Sequence, residues 1–284
     1  MRGPVPKGVA LRRGERGAPE CGRLFIYSKC MQHLPGAKAL VAVLVAAIVA
    51  NAENSTRLPS HETLTYGIEW RLISAGIGTL NLKQSPPAAN QGWSANLRLE
   101  SAGLVSKLYK VIDLYRSNYE GNFCATDTFL DASEGKRHRE TTVKFDRSSA
   151  KASYLEKDLV KNSIVKQTEV AVPPCVKDIL GGFYHLRTLQ LQPGQSAMVR
   201  MSDGKKSADV RVEAQEWEEI KTKAGKFKTM RYEAFLFNGV LFERAAKLHI
   251  WVSDDEKRLP VQIKLKLSVA VGTITLQLEK EERI

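Results

Sequence analysis

The densest acidic cluster in this sequence is Asp254-Asp255-Glu256, and carboxylates grouped on a turn can ligate a hard cation such as Ca²⁺. The spaced D-x-D-x-D-G pattern of a calcium loop is missing, and Lys257-Arg258 follow directly, so a charged hairpin turn is the simpler reading. Paired carboxylates could instead cleave a glycosidic bond, and Asp127 and Asp131 bracket Thr128-Phe129-Leu130. On one strand they would face the same side about 13 Å apart, beyond either glycosidase separation. His61, His138, His185 and His249 show no metal-ligand spacing, and no G-x-S-x-G elbow supplies a nucleophile for any of them. His185 suits a structural role, with a pH-responsive one as the alternative. His249 reads as an exposed strand position. These residues nominate no catalytic group, no metal and no cofactor, and the reading leans away from an enzyme.

Whether the cysteines pair depends on where the protein works, and the apolar run Ala39 to Ala50 (ALVAVLVAAIVA) bears on that. The run is too short to span a bilayer as a helix, which takes roughly 20 residues. It fits the h-region of a secretory signal, and Ala50-Asn51-Ala52 supplies a small-x-small cleavage pattern between Ala52 and Glu53. Residues 1–52 therefore read as a signal peptide with an N-terminal extension, Met31 being an alternative start. Residues 53–284 read as a single β-rich domain, periplasmic or secreted, soluble after cleavage and without a transmembrane helix. Cys21 and Cys30 leave with the leader. Cys124 and Cys175 remain, and two cysteines in an oxidising compartment often pair. Such a bridge would close a loop of about 50 residues, worth on the order of 3–4 kcal/mol in the loop-entropy model. Two separate buried thiols are the alternative.

Half of the formal net charge of +12 belongs to residues 1–52, so the mature chain carries a modest basic excess. Lys136-Arg137-His138-Arg139 is the nearest approach to a basic patch, and a solvated strand edge accounts for it. Export discounts nucleic acid as a partner. An anionic envelope partner, a lipid headgroup or an acidic glycan, stays open.

Period-2 alternation sets the architecture. Leu64, Tyr66, Ile68, Trp70 and Leu72 alternate with polar residues, and Ser74-Ala75-Gly76 is the expected turn of a first hairpin. Later strands are expected near 93–100, 104–116, 123–130, 139–146, 150–156 and 162–171. Beyond the middle they fall near 196–202, 208–217, 227–237, 246–253, 260–270 and 273–280. Ser85 to Gly92 reads as a loop. One segment breaks the pattern: after Pro173-Pro174, Val176, Ile179, Leu180, Phe183 and Leu186 recur at helical spacing, which predicts a helix over about 175–187. Gly181-Gly182 weakens that helix and would permit close packing on a sheet. So many alternating strands imply one large antiparallel curved sheet, a barrel or half-barrel, with the helix packed against it. The aromatic supply, Trp70, Phe183 and Tyr184 among it, suits an ordinary β core. The alternative is an apolar cavity lined by Trp70, Phe183, Tyr184 and Leu186.

Thr63-Leu64-Thr65-Tyr66-Gly67-Ile68-Glu69-Trp70 with Ala75-Gly76-Ile77-Gly78-Thr79-Leu80 resembles the opening hairpin of the exported bacterial family known as domain of unknown function 3108. The resemblance returns at Asp178-Ile179-Leu180-Gly181-Gly182-Phe183-Tyr184-His185-Leu186-Arg187, at Ala224-Gly225-Lys226-Phe227, and from Ile250-Trp251 through Leu259-Pro260-Val261. These pieces run in order along nearly the whole mature chain. The resemblance implies an exported β-rich envelope protein with no established reaction, and it supplies no catalytic residue. The expectation is a non-catalytic envelope protein, binding an apolar or amphiphilic, lipid-like ligand or an envelope protein. A hydrolase acting on an envelope polymer and a structural interaction module are the alternatives.

Overall fold

A computed structural model describes residues 58–85, 92–268 and 271–284, all within a compact unit spanning Ser55–Ile284. The signal h-region, the Ala52/Glu53 cleavage site, Cys21, Cys30 and most of the expected 85–92 loop lie outside the described residues. Fourteen strands form one antiparallel sheet. In chain order they are β1 His61–Trp70, β2 Ile73–Gln84, β3 Gly92–Ser101, β4 Val111–Glu120, β5 Cys124–Glu134, β6 Arg137–Asp146, β7 Lys151–Asp158 and β8 Ser163–Ala171. They continue as β9 Ser196–Ser202, β10 Ser207–Thr222, β11 Gly225–Ala234, β12 Lys247–Ser253, β13 Pro260–Lys266 and β14 Thr273–Arg283. Two helices are described, α1 Gly103–Leu108 and α2 Ile179–Thr188.

The sheet order is β8 to β1, then β14 to β9, so the two halves of the chain are joined where β1 pairs with β14. Nothing pairs β8 with β9, and the sheet stays open. The reason lies at the β9 edge. Lys177, just ahead of α2, forms a parallel bridge to Met201 and covers part of that edge. The β9–β10 turn then tucks inside the other half: a Cβ on Gly204 would stand 2.6 Å from the Val143 side chain, and Lys205 Nζ lies 5.1 Å from the Tyr154 ring centre.

Alternation builds the core as expected. Leu64 and Tyr66 of β1 face inward with Leu80, Leu82, Ala95, Val143, Ala152, Val261 and Leu278. A second cluster in the C-terminal half gathers Val199, Val210, Met230, Tyr232, Ile250 and Val252. Expectation and structure part at four places. The first hairpin turns at Arg71-Leu72, because Trp70 pairs with Ile73, and Leu72 is 92% exposed. Residues 104–108, expected as the start of a strand, belong instead to α1, which buries none of its residues. The second helix starts at Ile179 rather than 175, because residues 175–178 run extended: Val176 O accepts from Ala125 N and Lys177 O from Ser202 N. The Lys136–Arg139 quartet is not at a sheet edge, since β6 lies between β5 and β7.

Candidate functional site

The segment expected to carry function is α2, and its position is fixed from both ends. At its start the Asp178 side chain caps the helix, accepting from Gly181 N at 2.8 Å, while Tyr115 Oη donates to its other oxygen at 2.8 Å. Burial pushes the Asp178 carboxyl upward, and its hydrogen bonds oppose that shift. Cys175 is joined to Cys124 by a disulfide, which ties the entry to the start of β5. The glycines do what their positions require. A Cβ on Gly181 would lie 2.8 Å from Asp178 Oδ1 and 2.9 Å from Tyr119 Cε1, and one on Gly182 would lie 2.7 Å from Met201 Cε.

At the other end Arg187, fully buried, forms a two-pronged ion pair with the equally buried Glu62 of β1. Its remaining donors reach Arg258 O at 2.9 Å and Lys257 O at 3.0 Å in the β12–β13 turn. Arg283 of β14 bonds the same Glu62 at 2.8 Å. Arg258 returns the contact, donating to Leu189 O at 2.6 Å and Tyr232 Oη at 3.0 Å. One helix and two strands from opposite halves meet on this carboxylate, and Arg187 joins the turn to them. No spacing in the sequence announces a pair separated by 125 residues.

Of the residues expected to line a ligand cavity, Phe183 and Tyr184 meet edge to face at 5.7 Å between ring centres, while Trp70 stands apart. Tyr184 is completely buried, stacked on Phe123 at 5.6 Å between ring centres, and belongs to the first core cluster. Leu186 is buried in the second. Phe183 is half-buried and packs against both. Trp70 stands at the far end of β1 from Glu62, where its Nε1 donates to Val271 O at 2.7 Å.

Other chemistry-bearing residues are held in structural bonds. Asp127 bonds Asn118, and Asp131 meets His138 Nε2 at 2.7 Å. Asp255 organises its turn through Ser253 Oγ and Arg258 N, and Asp254 pairs with Lys228. His249 departs from expectation: it is 8% exposed, lining a pocket of about 170 Å³ with Glu218, Arg231, Trp251, Lys264 and Lys266. The bulge between Ala214 and Trp217 accompanies this, since Glu218 beyond it accepts from Trp251 Nε1 at 3.0 Å. Burial lowers the His249 pKa, with Glu233 opposing at 3.7 Å. Among the described residues that line this pocket, the imidazole stands beside Arg231, Lys264 and Lys266.

Among solved structures, the fold is similar to that of a β-barrel-like protein of domain of unknown function DUF1849 from Brucella abortus. That similarity has a TM-score of 0.51 at 9% identity, covering 80% of this chain and 99% of that one. A protein with a YmcC-like fold from Bacteroides fragilis is also similar, with a TM-score of 0.30 and 10% identity, over 78% of this chain and 95% of that one. No curated protein matches the sequence. The family model described as "Protein of unknown function (DUF3108)" matches residues 65–279, from the first strand to the last. The chain belongs to the DUF3108 family.

Proposed function

We propose that this protein is a non-catalytic, exported component of the cell envelope that binds an apolar or amphiphilic partner on its surface. One observation carries the reading: α2 packs into both core clusters, so the interior beneath it is taken up by its own side chains. Tyr184 and Leu180 of α2 occupy it, and the helix is clamped there by Arg187, Glu62 and Asp178, whose polar atoms are spent on the fold. A packed interior leaves the outer surfaces for recognition. The apolar run 39–50 supports export to the periplasm or beyond.

Native mass spectrometry of the protein purified from its own envelope, followed by lipid extraction, tests the proposal. A co-purifying amphiphile is the expected result. No ligand, together with turnover of an envelope glycan, would replace the reading with that of a hydrolase.

A further inference from the structure

An antiparallel meander sends alternate turns to opposite rims of its sheet. Here one rim carries α2, the 121–123, 147–150, 223–224 and 254–259 turns and both described ends of the chain. The other carries the turns at 71–72, 102–110, 135–136 and 159–162, the 235–246 connection and the turn before β14, while the 203–206 turn lies inside against Val143 and Tyr154. Backbone hydrogen bonds follow this second rim from hairpin to hairpin: Arg71 N donates to Thr273 O, Ala102 N to Ala75 O, Gly135 N to Lys110 O and Leu159 N to His138 O.

The rims differ in chemistry. On the α2 rim the turns expose Asn122, Arg147, Ser148, Lys223 and Asp254 to Lys257. On the other, Leu72, Ile73, Leu104, Leu108, Tyr109 and Val271 are exposed, and Leu159 and Val160 extend the series. With Val240 of the 235–246 connection these are nine of the sixteen large exposed apolar side chains of the described residues; Ile179 and Ile284 lie on the α2 rim, and Ile77, Ile164, Val165, Met198 and Trp217 lie within strands. A globular surface scatters such residues singly, so their concentration at one end marks a contact surface. Basic residues interleave with them: Lys107, Lys110, Lys136, Arg137 and Lys161. Trp70 and Tyr109 add aromatic rings with a polar edge, the type that favours a bilayer interface.

Backbone conformation points the same way. The two-residue β1–β2 loop is Arg71-Leu72, with φ of 48° and 69°. Loops of that shape favour Asn-Gly, because side chains disfavour positive φ at both positions. The chain holds a leucine there, 92% exposed, at a conformational cost its fold does not repay through packing. Leu104 and Leu108 lie four apart on α1, so both point from one face of a helix that buries nothing.

We infer that this rim docks onto an anionic phospholipid bilayer, the leucine tips entering the interface and the lysines and arginines meeting headgroup phosphates. A protein groove would favour a flat or concave apolar patch, whereas separate protruding tips ringed by cations match a deformable anionic surface. The inference rests on the proposed amphiphile-binding function and gives it a place.

The test is flotation of the protein with protein-free vesicles of phosphatidylcholine, with and without phosphatidylglycerol. Binding to the anionic vesicles is expected, weakened by salt. Leu72→Asp combined with Leu108→Asp should reduce it at least tenfold, as should Lys107→Glu with Lys110→Glu, while Ile284→Asp on the opposite rim should bind like the unchanged protein. All five positions are exposed, and an unchanged circular-dichroism spectrum verifies folding. Equal binding by the Leu72/Leu108 variant, equal binding to neutral vesicles, or flotation only with membranes that retain their proteins would overturn the inference. If flotation fails while native mass spectrometry still finds a bound lipid, the rim assignment falls and the amphiphile-binding proposal stands.

Discussion

His185 shows how a single side chain reports on the packing of α2. Burial lowers its pKa to about 4, helped by the nearby charge of Lys177, from an ordinary value of 6.5. The folded protein therefore takes up this proton only near pH 4, whereas the unfolded chain takes it up near 6.5. The linked stability is intact above 6.5 and is lost as the pH falls toward 4. Because the ring is only partly buried, the full shift overstates the effect, and a loss of about 1–2 kcal/mol is expected across that window. The neutral His185→Gln variant should lack this component. Urea midpoints of both proteins at the two ends of the window measure it, and parallel declines would mean the ring is free to charge in the folded state.

At the scale of elements, the sequence reveals what repeats locally and hides what depends on distant contacts. The alternation at Val261 to Lys266 and at Ile274 to Leu278 reads directly as β13 and β14, and Cys124 and Cys175 form the disulfide expected of two cysteines in an oxidising compartment. The Arg71-Leu72 turn was unreadable because neither residue carries turn chemistry; the small residues Ser74 to Gly76 drew the hairpin to the wrong place. The α1 segment GLVSKL holds three β-compatible apolar residues and becomes helical only where the sheet ends and the chain must reverse. His249 looked exposed because its burial comes from β10, more than thirty positions earlier, bending at its bulge. The double glycine of α2 was legible as a site of close approach, and it sets a prediction. Gly181→Ala would gain about 1 kcal/mol of helix propensity. Its Cβ would nevertheless stand 3.1 Å from the Phe123 carbonyl oxygen and 2.9 Å from the Tyr119 ring, neither of which can easily withdraw. A net loss of about 1–3 kcal/mol is expected. Gly182→Ala meets the flexible end of Met201 instead and should remain within about 1 kcal/mol of the original in a denaturant titration.

For the whole molecule, the problem is how an unclosed sheet remains one cooperative unit. The two halves share a single strand junction, β1 with β14, and two hydrophobic clusters rather than one. Glu62 stands at that junction, bonded by Arg187 from the helix and Arg283 from β14, while Arg187 also holds the β12–β13 turn. Buried ion pairs contribute little net stability, since desolvating both charges offsets their attraction, but removing one partner strands the other. Arg187→Met should therefore cost about 3–5 kcal/mol, leaving Glu62 with Arg283 alone and the Arg258 carbonyl without its donor, while the Lys257 carbonyl keeps Arg283. Adding Glu62→Leu removes the stranded carboxylate and should recover part of that loss, though not all, because the Arg258 carbonyl remains unsatisfied. The decisive readout is cooperativity. Tryptophans lie in both halves, Trp93 in β3 and Trp251 in β12, so fluorescence and circular dichroism should give coincident unfolding curves in the unchanged protein. In Arg187→Met the curves should separate, as the halves lose the carboxylate that couples them. Coincident curves in the variant, or a double variant no more stable than the single one, would assign the coupling to the β1–β14 ladder instead of the buried pair.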